Sequence, residues 1–330
     1  MIQKNKNSFG LPPRLEKANG GVRRVGFELE FSGILLEQAA DTLIETLNAS
    51  IESKTAAEIR LHAESIGDFN VELDWNFLKR VSANVDEKTD KEELLNLLSQ
   101  AASLLVPLEV VCPPIPITRL QLLKPMTAAL REAGAVGTEE SLLAAYGVHI
   151  NTEIPELDAN TLSRYLKAFA VLQWWLVDAH EVDVTRKISP YIDLYPEAYL
   201  RQLLAEPEPT MEQIFDDYLE YNASRNRALD LLPILAEIDK GRVGRDVDDP
   251  RVNARPAFHY RMPNCNIEQP DWSLSRSWNT WLVVENLATE QEYLDELGTA
   301  FLAAERPLLG VHRSDWVKHI DRWLQDHALA

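Results

Sequence analysis

The feature that most constrains this chain is a strict alternation of apolar and polar residues near its start. Within residues 23–31 the apolar positions are Val25, Phe27, Leu29 and Phe31. The positions between them include Glu28 and Glu30. Because successive side chains of a β-strand point to opposite faces, this period of two predicts a strand with one buried face and one acidic face.

Four more segments have strand character. They are residues 69–75, 106–112, 146–153 and 256–262. In the first, Glu72 and Asp74 share one face, whereas the second carries Glu109 inside an apolar run. The third places His149 and Asn151 on a common face. The acidic alternation of residues 23–31 therefore recurs on other strands.

Helical spacing of apolar residues fills much of the remaining chain. It occurs in residues 36–47, 91–105, 117–134, 158–204 and 210–240, and as three helices from about 272 to 330. Residues 241–255 are turn-rich and charged. These patterns predict an α+β fold, an antiparallel sheet with helices packed on one face and a helix-rich C-terminal part.

Composition limits the partners of the chain. The 330 residues contain 33 Lys and Arg against 52 Asp and Glu, a formal net charge of −19. Because such a surface repels a phosphate backbone, no nucleic-acid partner is expected. The polar N-terminus has no signal-peptide core and no apolar run is long enough to cross a membrane, so we expect a cytoplasmic location and no membrane partner.

Repeated acids on successive strands are the strongest chemical signal. The carboxylates concerned are Glu28, Glu30, Glu72, Asp74 and Glu109. On one sheet face these groups would repel each other, and a hard cation such as Mg²⁺ or Mn²⁺ would neutralise them. His149 would add a nitrogen ligand or a donor to phosphate. The alternative is a wet sheet face without metal, although Glu109 within an apolar strand would be costly to bury alone.

A second cluster is basic and lies in residues 253–265. It contains Arg255, His259 and Arg261, with His259 and Arg261 on one strand face. An arginine fork here can hold a carboxylate or a phosphate through two hydrogen bonds, or can pair with surface acids. Both explanations remain open at this stage.

Other chemistries find no support in the sequence. Phosphate-loop, dinucleotide-binding, nucleophile-elbow and zinc-helix motifs are all absent. Cys112 and Cys265 have no evident base beside them and are predicted to be inert. Trp272, Trp278 and Trp281 recur at helical spacing and are predicted core residues.

The order of four segments resembles that of the amidoligase family, which belongs to the glutamine synthetase and glutamate–cysteine ligase superfamily. The segments are GFELEF, VELDWNFL, LEVVCPP and YGVHIN. The resemblance runs over residues 22–290 and implies a curved antiparallel sheet that binds ATP through divalent metals. It suggests an N-terminal arm (1–21), a ligase domain (22–290) with a helical insertion at about 158–250, and C-terminal helices (291–330) packed on that domain.

The resemblance also implies roles for single residues. Glu28, Glu30, Asp74, Glu109 and His149 correspond to metal ligands, and Glu109 and His149 also take part in catalysis. Cys112 stands where the family has serine after that glutamate. The family's Glu-x-Arg motif corresponds here to His259 and Arg261, so histidine replaces a glutamate while Arg261 is retained as a catalytic residue. Nucleotide contacts are expected from Asn151, Arg255, His259 and Arg261.

The implied reaction joins a small-molecule or peptide carboxylate to an amine. ATP would phosphorylate the carboxylate to an acyl phosphate, which the amine then attacks, while a sheet carboxylate accepts the amine's proton. Two other readings are a metal-dependent hydrolase on the same acidic face and an inactive binding protein of the same fold. An oligomer is possible, and the sequence shows no interface.

Overall fold

The computed structural model describes residues 8–74, 107–138, 146–183, 186, 192–306 and 309–329. The predicted helix at 91–105 and the DWNFL segment beyond Asp74 lie outside these ranges. In the described part of the chain a nine-stranded antiparallel sheet carries the functional residues.

The strands of the sheet are β1 (Arg24–Phe31), β2 (Ala49–Lys54), β3 (Glu58–Ala63), β4 (Gly67–Leu73), β5 (Leu108–Val111), β6 (Ile115–Pro116), β7 (Val148–Thr152), β8 (Leu229–Asp230) and β9 (His259–Tyr260). Their spatial order is β2-β3-β4-β5-β1-β7-β9-β8, and β6 pairs with β1 beyond the end of β5. The first alternating segment of the chain is therefore an interior strand. It is hydrogen-bonded along both edges, to β5 and β6 on one side and to β7 on the other, and this pairing fixes its position in the sheet.

The helices of the described residues are α1 (Leu36–Leu47), α2 (Lys124–Glu132), α3 (Ala159–Ala179), α4 (Glu197–Ala205), α5 (Met211–Asn222), α6 (Leu232–Asp246), α7 (Leu274–Thr289), α8 (Gln291–Ala303) and α9 (Arg313–Asp326). Helix α1 matches its predicted bounds, and Asp158 caps α3 by accepting a hydrogen bond from the Thr161 amide at 2.8 Å. The mixed α/β class with an antiparallel sheet is confirmed.

One face of the sheet is apolar and covered by helices. The four alternating apolar residues of β1 are fully buried. The ring of Phe27 meets Trp278 of α7, and Tyr260 of β9 packs against Trp281 of α7 and Phe169 of α3. The predicted core role of these tryptophans is confirmed. Burial of this face leaves the polar face of the same strands available for chemistry.

A buried ion pair joins the start of β1 to α7. The side chains of Arg23 and Glu285 have no exposed surface, and two hydrogen bonds of 2.9 and 2.8 Å join the guanidinium to the carboxylate. Tyr165 of α3 and Trp281 of α7 also donate to this carboxylate, at 2.6 and 3.0 Å. Sequence patterns did not reveal the pair, because its partners lie 262 positions apart.

Several predicted boundaries were wrong for local reasons. Residues 117–134 form a 3-10 helix (Ile117–Leu123) followed by α2, which begins where Pro125 favours a helix start. Residues 210–240 are interrupted by β8, and α6 has a kink at Asp239, beyond which it runs to Asp246, inside the predicted turn region. The strand predicted at 256–262 forms a regular ladder only at β9, and an isolated bridge from Ala257 to Glu153 and a hydrogen bond from the Phe258 amide to the Thr152 carbonyl continue its pairing.

The pair β2–β3 was not predicted. Nearly all of β2 is exposed on both faces, so its sequence lacks an apolar alternation. Pairing with β3, whose Ile59 and Leu61 are buried, holds it in place. Among the described helices, none has the length and apolar character needed to span a membrane.

Candidate active site

Strand pairing places the predicted acids side by side on the polar face. Glu109 of β5 lies opposite Glu30 of β1 on one side and Glu72 of β4 on the other. The amide of Asp74 bonds to the Pro107 carbonyl at 2.9 Å, which brings Asp74 to the end of the same strand pair. The acidic residues of β1, β5 and β4 thus form one continuous row across the polar face.

Glu30, Glu109 and His149 form a set of possible metal ligands. One ligand atom from each lies within 4.8 Å of the others. The distance from His149 Nε2 to Glu30 Oε1 is 3.8 Å, and the other Glu30 oxygen accepts a hydrogen bond from the Gly147 amide at 2.8 Å. Two carboxylates and an imidazole are a donor set that Mg²⁺ or Mn²⁺ accepts.

The electrostatics of Glu109 suit a nearby cation. Burial raises the pKa of Glu109 well above its usual value, and the charges of Glu28, Glu30, Glu72 and Asp74 raise it further. A divalent cation would offset this repulsion and hold the carboxylate ionised. The residues present therefore fit the metal that the family implies.

Glu28 lies in a different environment, surrounded by donors. Its Oε2 is 2.7 Å from His149 Nδ1, and its Oε1 accepts a hydrogen bond from Asn151 Nδ2 at 2.9 Å. Arg255 in turn donates to Asn151 Oδ1 at 2.9 Å. Although burial opposes its ionisation, the His149 hydrogen bond and the nearby His259 hold the pKa of Glu28 well below its usual range.

The basic residues gather at the β7–β9–β8 end of the same face. Arg261 Nη2 is 3.2 Å from His259 Nδ1 and 3.7 Å from Asp230 Oδ2. Burial lowers the pKa of His259 well below its usual value, and the Arg261 charge adds to this effect. Burial raises the pKa of Asp230 to about 6, against the opposing charge of Arg261.

Several buried polar atoms at this end have no hydrogen-bond partner among the residues that the structure describes. They are His259 Nε2, Asp230 Oδ2, and the Nε atoms of Arg255 and Arg261. Buried polar groups are nearly always satisfied, so such a concentration marks a place where a polar ligand can bind. The Arg255 and Arg261 donors favour an anionic ligand.

Most of the predicted site residues are assembled on this face. They are Glu28, Glu30, Glu109, His149, Asn151, Arg255, His259 and Arg261. Asp74 acts on Glu109 through its charge, but among the described residues its carboxylate does not join the convergent ligand set. The two cysteines are buried, and burial raises the pKa of both thiols, as expected for unreactive residues.

Sequence reasoning missed two charged residues of the site. Asp230 is fully buried between apolar residues in β8, the same pattern that drew attention to Glu109. Arg186 is buried and donates to the carbonyl oxygens of Met262, Pro263 and Arg261 at 2.5 to 2.9 Å, and its charge acts on Glu30. No motif marked Arg186, because its partners are backbone atoms far along the chain.

Comparison with known proteins supports one family. A family model described as "Putative amidoligase enzyme" matches residues 21–283, most of the chain, and its description points to an enzyme of the ligase type. Comparison with curated proteins gave no match, and comparison with solved structures gave none. The resemblance found in the strand motifs is thereby confirmed, and the chain belongs to the amidoligase family.

Proposed function

We propose that this protein is an ATP- and Mg²⁺-dependent carboxylate–amine ligase that forms an amide or peptide-like bond through an acyl phosphate. One observation carries the proposal: a carboxylate–imidazole set and an arginine cluster lie on the same sheet face. Membership of the amidoligase family supports it. Together, a cation site and fixed guanidinium groups meet the needs of phosphoryl transfer, which depends on positioning and on charge stabilisation.

Glu30, Glu109 and His149 are the residues proposed to hold the metal, Mg²⁺ or Mn²⁺. When bound, the cation would offset negative charge on the triphosphate during transfer to the substrate carboxylate. Glu30 is held in place by the Gly147 amide, and His149 by Glu28. Two of the three ligands therefore keep their positions through contacts within the protein, which limits the reorganisation needed on binding.

Arg255 and Arg261 are proposed to bind the anionic groups of the nucleotide and the acid. Arg255 is fixed by its hydrogen bond to Asn151, and Arg261 lies beside the buried Asp230. Because these guanidinium groups are largely oriented before a ligand arrives, they can stabilise charge on the transferring phosphoryl group at little reorganisation cost. A planar fork also suits phosphate and carboxylate better than a point charge does.

The amine must lose a proton when it attacks the activated carbonyl. Glu72 is the carboxylate next to Glu109 in the row, and it does not belong to the convergent metal set. Burial and the neighbouring Glu58 raise the pKa of Glu72. A carboxylate with a raised pKa is a better proton acceptor, so we assign this step to a Glu72 carboxylate oxygen.

Activation by ATP also accounts for the lack of a reactive thiol among the described residues. Cys112 and Cys265 are both buried, and burial raises the pKa of both thiols, which disfavours the thiolate nucleophile. A hydrolase on the same metal set would need no ATP. Consumption of ATP in proportion to product therefore separates the ligase from the hydrolase.

The first experiment is calorimetric titration of a non-hydrolysable ATP analogue into the protein, with excess Mg²⁺ and then with EDTA. We expect saturable binding that needs the metal. Acid and amine libraries are then screened for phosphate release that requires both substrates. R261K tests the arginine assignment, and R322K, at an exposed arginine of α9, serves as the matched control. Metal-independent binding, or hydrolysis products formed without ATP, would refute the ligase.

A further inference from the structure

Two sets of potential metal ligands overlap at His149. One consists of Glu30, Glu109 and His149, the other of Glu28, His149 and His259, and each brings its ligand atoms within 4.8 Å. A neutral imidazole carries one N–H and one lone pair, so it can give a lone pair to only one of the two sets. The hydrogen bonds around each ring decide which set this is.

The hydrogen bond to Glu28 assigns the proton of His149 to Nδ1. That atom is 2.7 Å from Glu28 Oε2, a hydrogen-bond distance to an oxygen that can only accept when the carboxylate is ionised. The lone pair is therefore on Nε2, which is 3.8 Å from Glu30 Oε1 and thus faces the Glu30 and Glu109 side. A histidine that donates one N–H to a carboxylate and offers the other nitrogen to a metal is a common arrangement in metal centres.

The ring of His259 is oriented by Arg261. Arg261 Nη2 lies 3.2 Å from His259 Nδ1, and because a guanidinium can only donate, Nδ1 must accept. The proton of the neutral ring is then on Nε2, a buried atom 3.7 Å from Glu28 Oε2 and without a hydrogen-bond partner in the described part of the chain. His259 is only 3% exposed, so water has little access to this N–H.

Glu28 thus receives N–H groups from several directions. His149 Nδ1–H and Asn151 Nδ2–H donate to its two oxygens, and His259 Nε2 lies 3.7 Å from Oε2. Neither imidazole presents a lone pair to this side of the cluster. The contacts of Glu28 with His149 and Asn151 are consequently hydrogen bonds, and the ring of His259 packs against that of His149. The atoms of Glu28, His149 and His259 are nevertheless close enough for a cation.

We infer that Glu28 and His259 are positioning residues that orient His149, and that this face holds a single divalent cation on Glu30, Glu109 and His149 Nε2. The inference rests on the metal dependence in the proposed function and refines it. It removes Glu28 from the metal ligands predicted from sequence. It also gives a role to the histidine at 259, whose ring packs edge-on against that of His149 and is itself fixed by Arg261.

The test uses Mn²⁺ binding, which can be read without turnover. Electron paramagnetic resonance of free Mn²⁺ gives stoichiometry and affinity, and spin-echo modulation detects a coordinated imidazole nitrogen. All variants carry H62Q, which removes the imidazole from an exposed group with Glu52 and Asp68. We expect one Mn²⁺ per chain at the site, coupled to one nitrogen, and loss of that coupling in H149Q.

Variants of Glu28 distinguish a positioning residue from a metal ligand. In E28Q the remaining oxygen can still accept from His149, so the nitrogen coupling should persist and affinity should fall by about tenfold or less. E28L removes the acceptor and should cost about 10- to 100-fold, the usual effect of losing an outer partner of a ligand. E30Q and E109Q lose a charged ligand and should weaken binding more than E28L, and H259Q should keep the nitrogen coupling.

Equal losses of Mn²⁺ affinity in E28Q and E30Q would overturn the inference. Loss of the nitrogen coupling in H259Q, or two cations per chain in the parent protein, would overturn it as well. Circular dichroism checks folding, and if E28L does not fold, E28Q and H259Q carry the comparison. If Mn²⁺ binds as expected but the protein has no affinity for ATP, only the ligase proposal is refuted. If the protein is a metal-dependent ligase but E28Q and E30Q lose the same Mn²⁺ affinity, only the inference about Glu28 is refuted.

Discussion

Replacing Glu285 by glutamine should destabilise the protein strongly. Its carboxylate accepts two hydrogen bonds from Arg23 and one each from Tyr165 and Trp281, and the side chains of the ion pair are completely buried. Glutamine keeps the shape but removes the charge, so the Arg23 guanidinium loses its counter-ion in a place that water does not reach. Removing one partner of a buried pair costs about 3–5 kcal/mol.

The expected shift in melting temperature follows from chain length. An unfolding entropy of about 2.1 cal/mol/K per residue gives roughly 0.7 kcal/mol/K for this chain. A loss of about 3–5 kcal/mol then lowers the melting temperature by about 4–7 °C. Differential scanning calorimetry and urea unfolding of E285Q measure the two quantities independently.

Two controls make this prediction specific. E305Q breaks the exposed pair with Arg201, whose N–O distance is also 2.8 Å, and should cost less than about 1 kcal/mol. The double variant R23M/E285M should be less destabilised than the sum of the single changes, because it leaves no unpaired buried charge. A cost of E285Q no greater than that of E305Q would refute the reasoning.

Three further outcomes are expected. Because the pKa of Asp230 is raised from 3.8 to about 6, the folded state binds more protons than the unfolded state between about pH 4 and pH 6, so stability should fall by up to about 3 kcal/mol as the pH rises through this window. D230N should flatten that part of the stability profile, and urea unfolding across the window checks both statements. G147A should weaken Mn²⁺ binding, since a Cβ there would lie 2.5 Å from Arg186 Nη2 and 3.3 Å from Glu30 Oε2; unchanged affinity would show that Glu30 does not depend on this contact. R261K should lose most ATP-dependent turnover, because an ammonium cannot replace the planar fork, and near-normal kinetics would remove Arg261 from the site.

The parts of the fold that sequence predicts are those with a strong period. Helix α1 has its predicted bounds, and β1 has the predicted buried and acidic faces. The pair β2–β3 was missed because β2 has almost no buried side chains to produce an alternation. Its position depends on pairing with β3, and a local sequence pattern holds no information on such pairing between strands.

For the site, the sequence predicted which residue types are present but not which of them contact one another. Alternation alone put Glu28 and Glu30 on one face, and both were assigned to the metal. The structure separates them: Glu28 is enclosed by N–H donors, whereas Glu30 faces Glu109 and the Nε2 side of His149. This difference arises from strand register, which sets Glu28 opposite His149 and Glu30 opposite Glu109.

Strand β1 therefore links stability and chemistry. Its apolar face holds Phe27 and Leu29 against the helices, and its polar face holds Glu28 and Glu30. A slip of one residue against β5 or β7 would turn the apolar set towards solvent, so burial of that face opposes every slip by an odd number of residues. The ring contact of Phe27 with Trp278 opposes a slip of two residues, which would set Glu30 in place of Glu28 opposite His149. The site geometry is thus maintained by the hydrophobic face on the other side of the sheet, where no site residue lies.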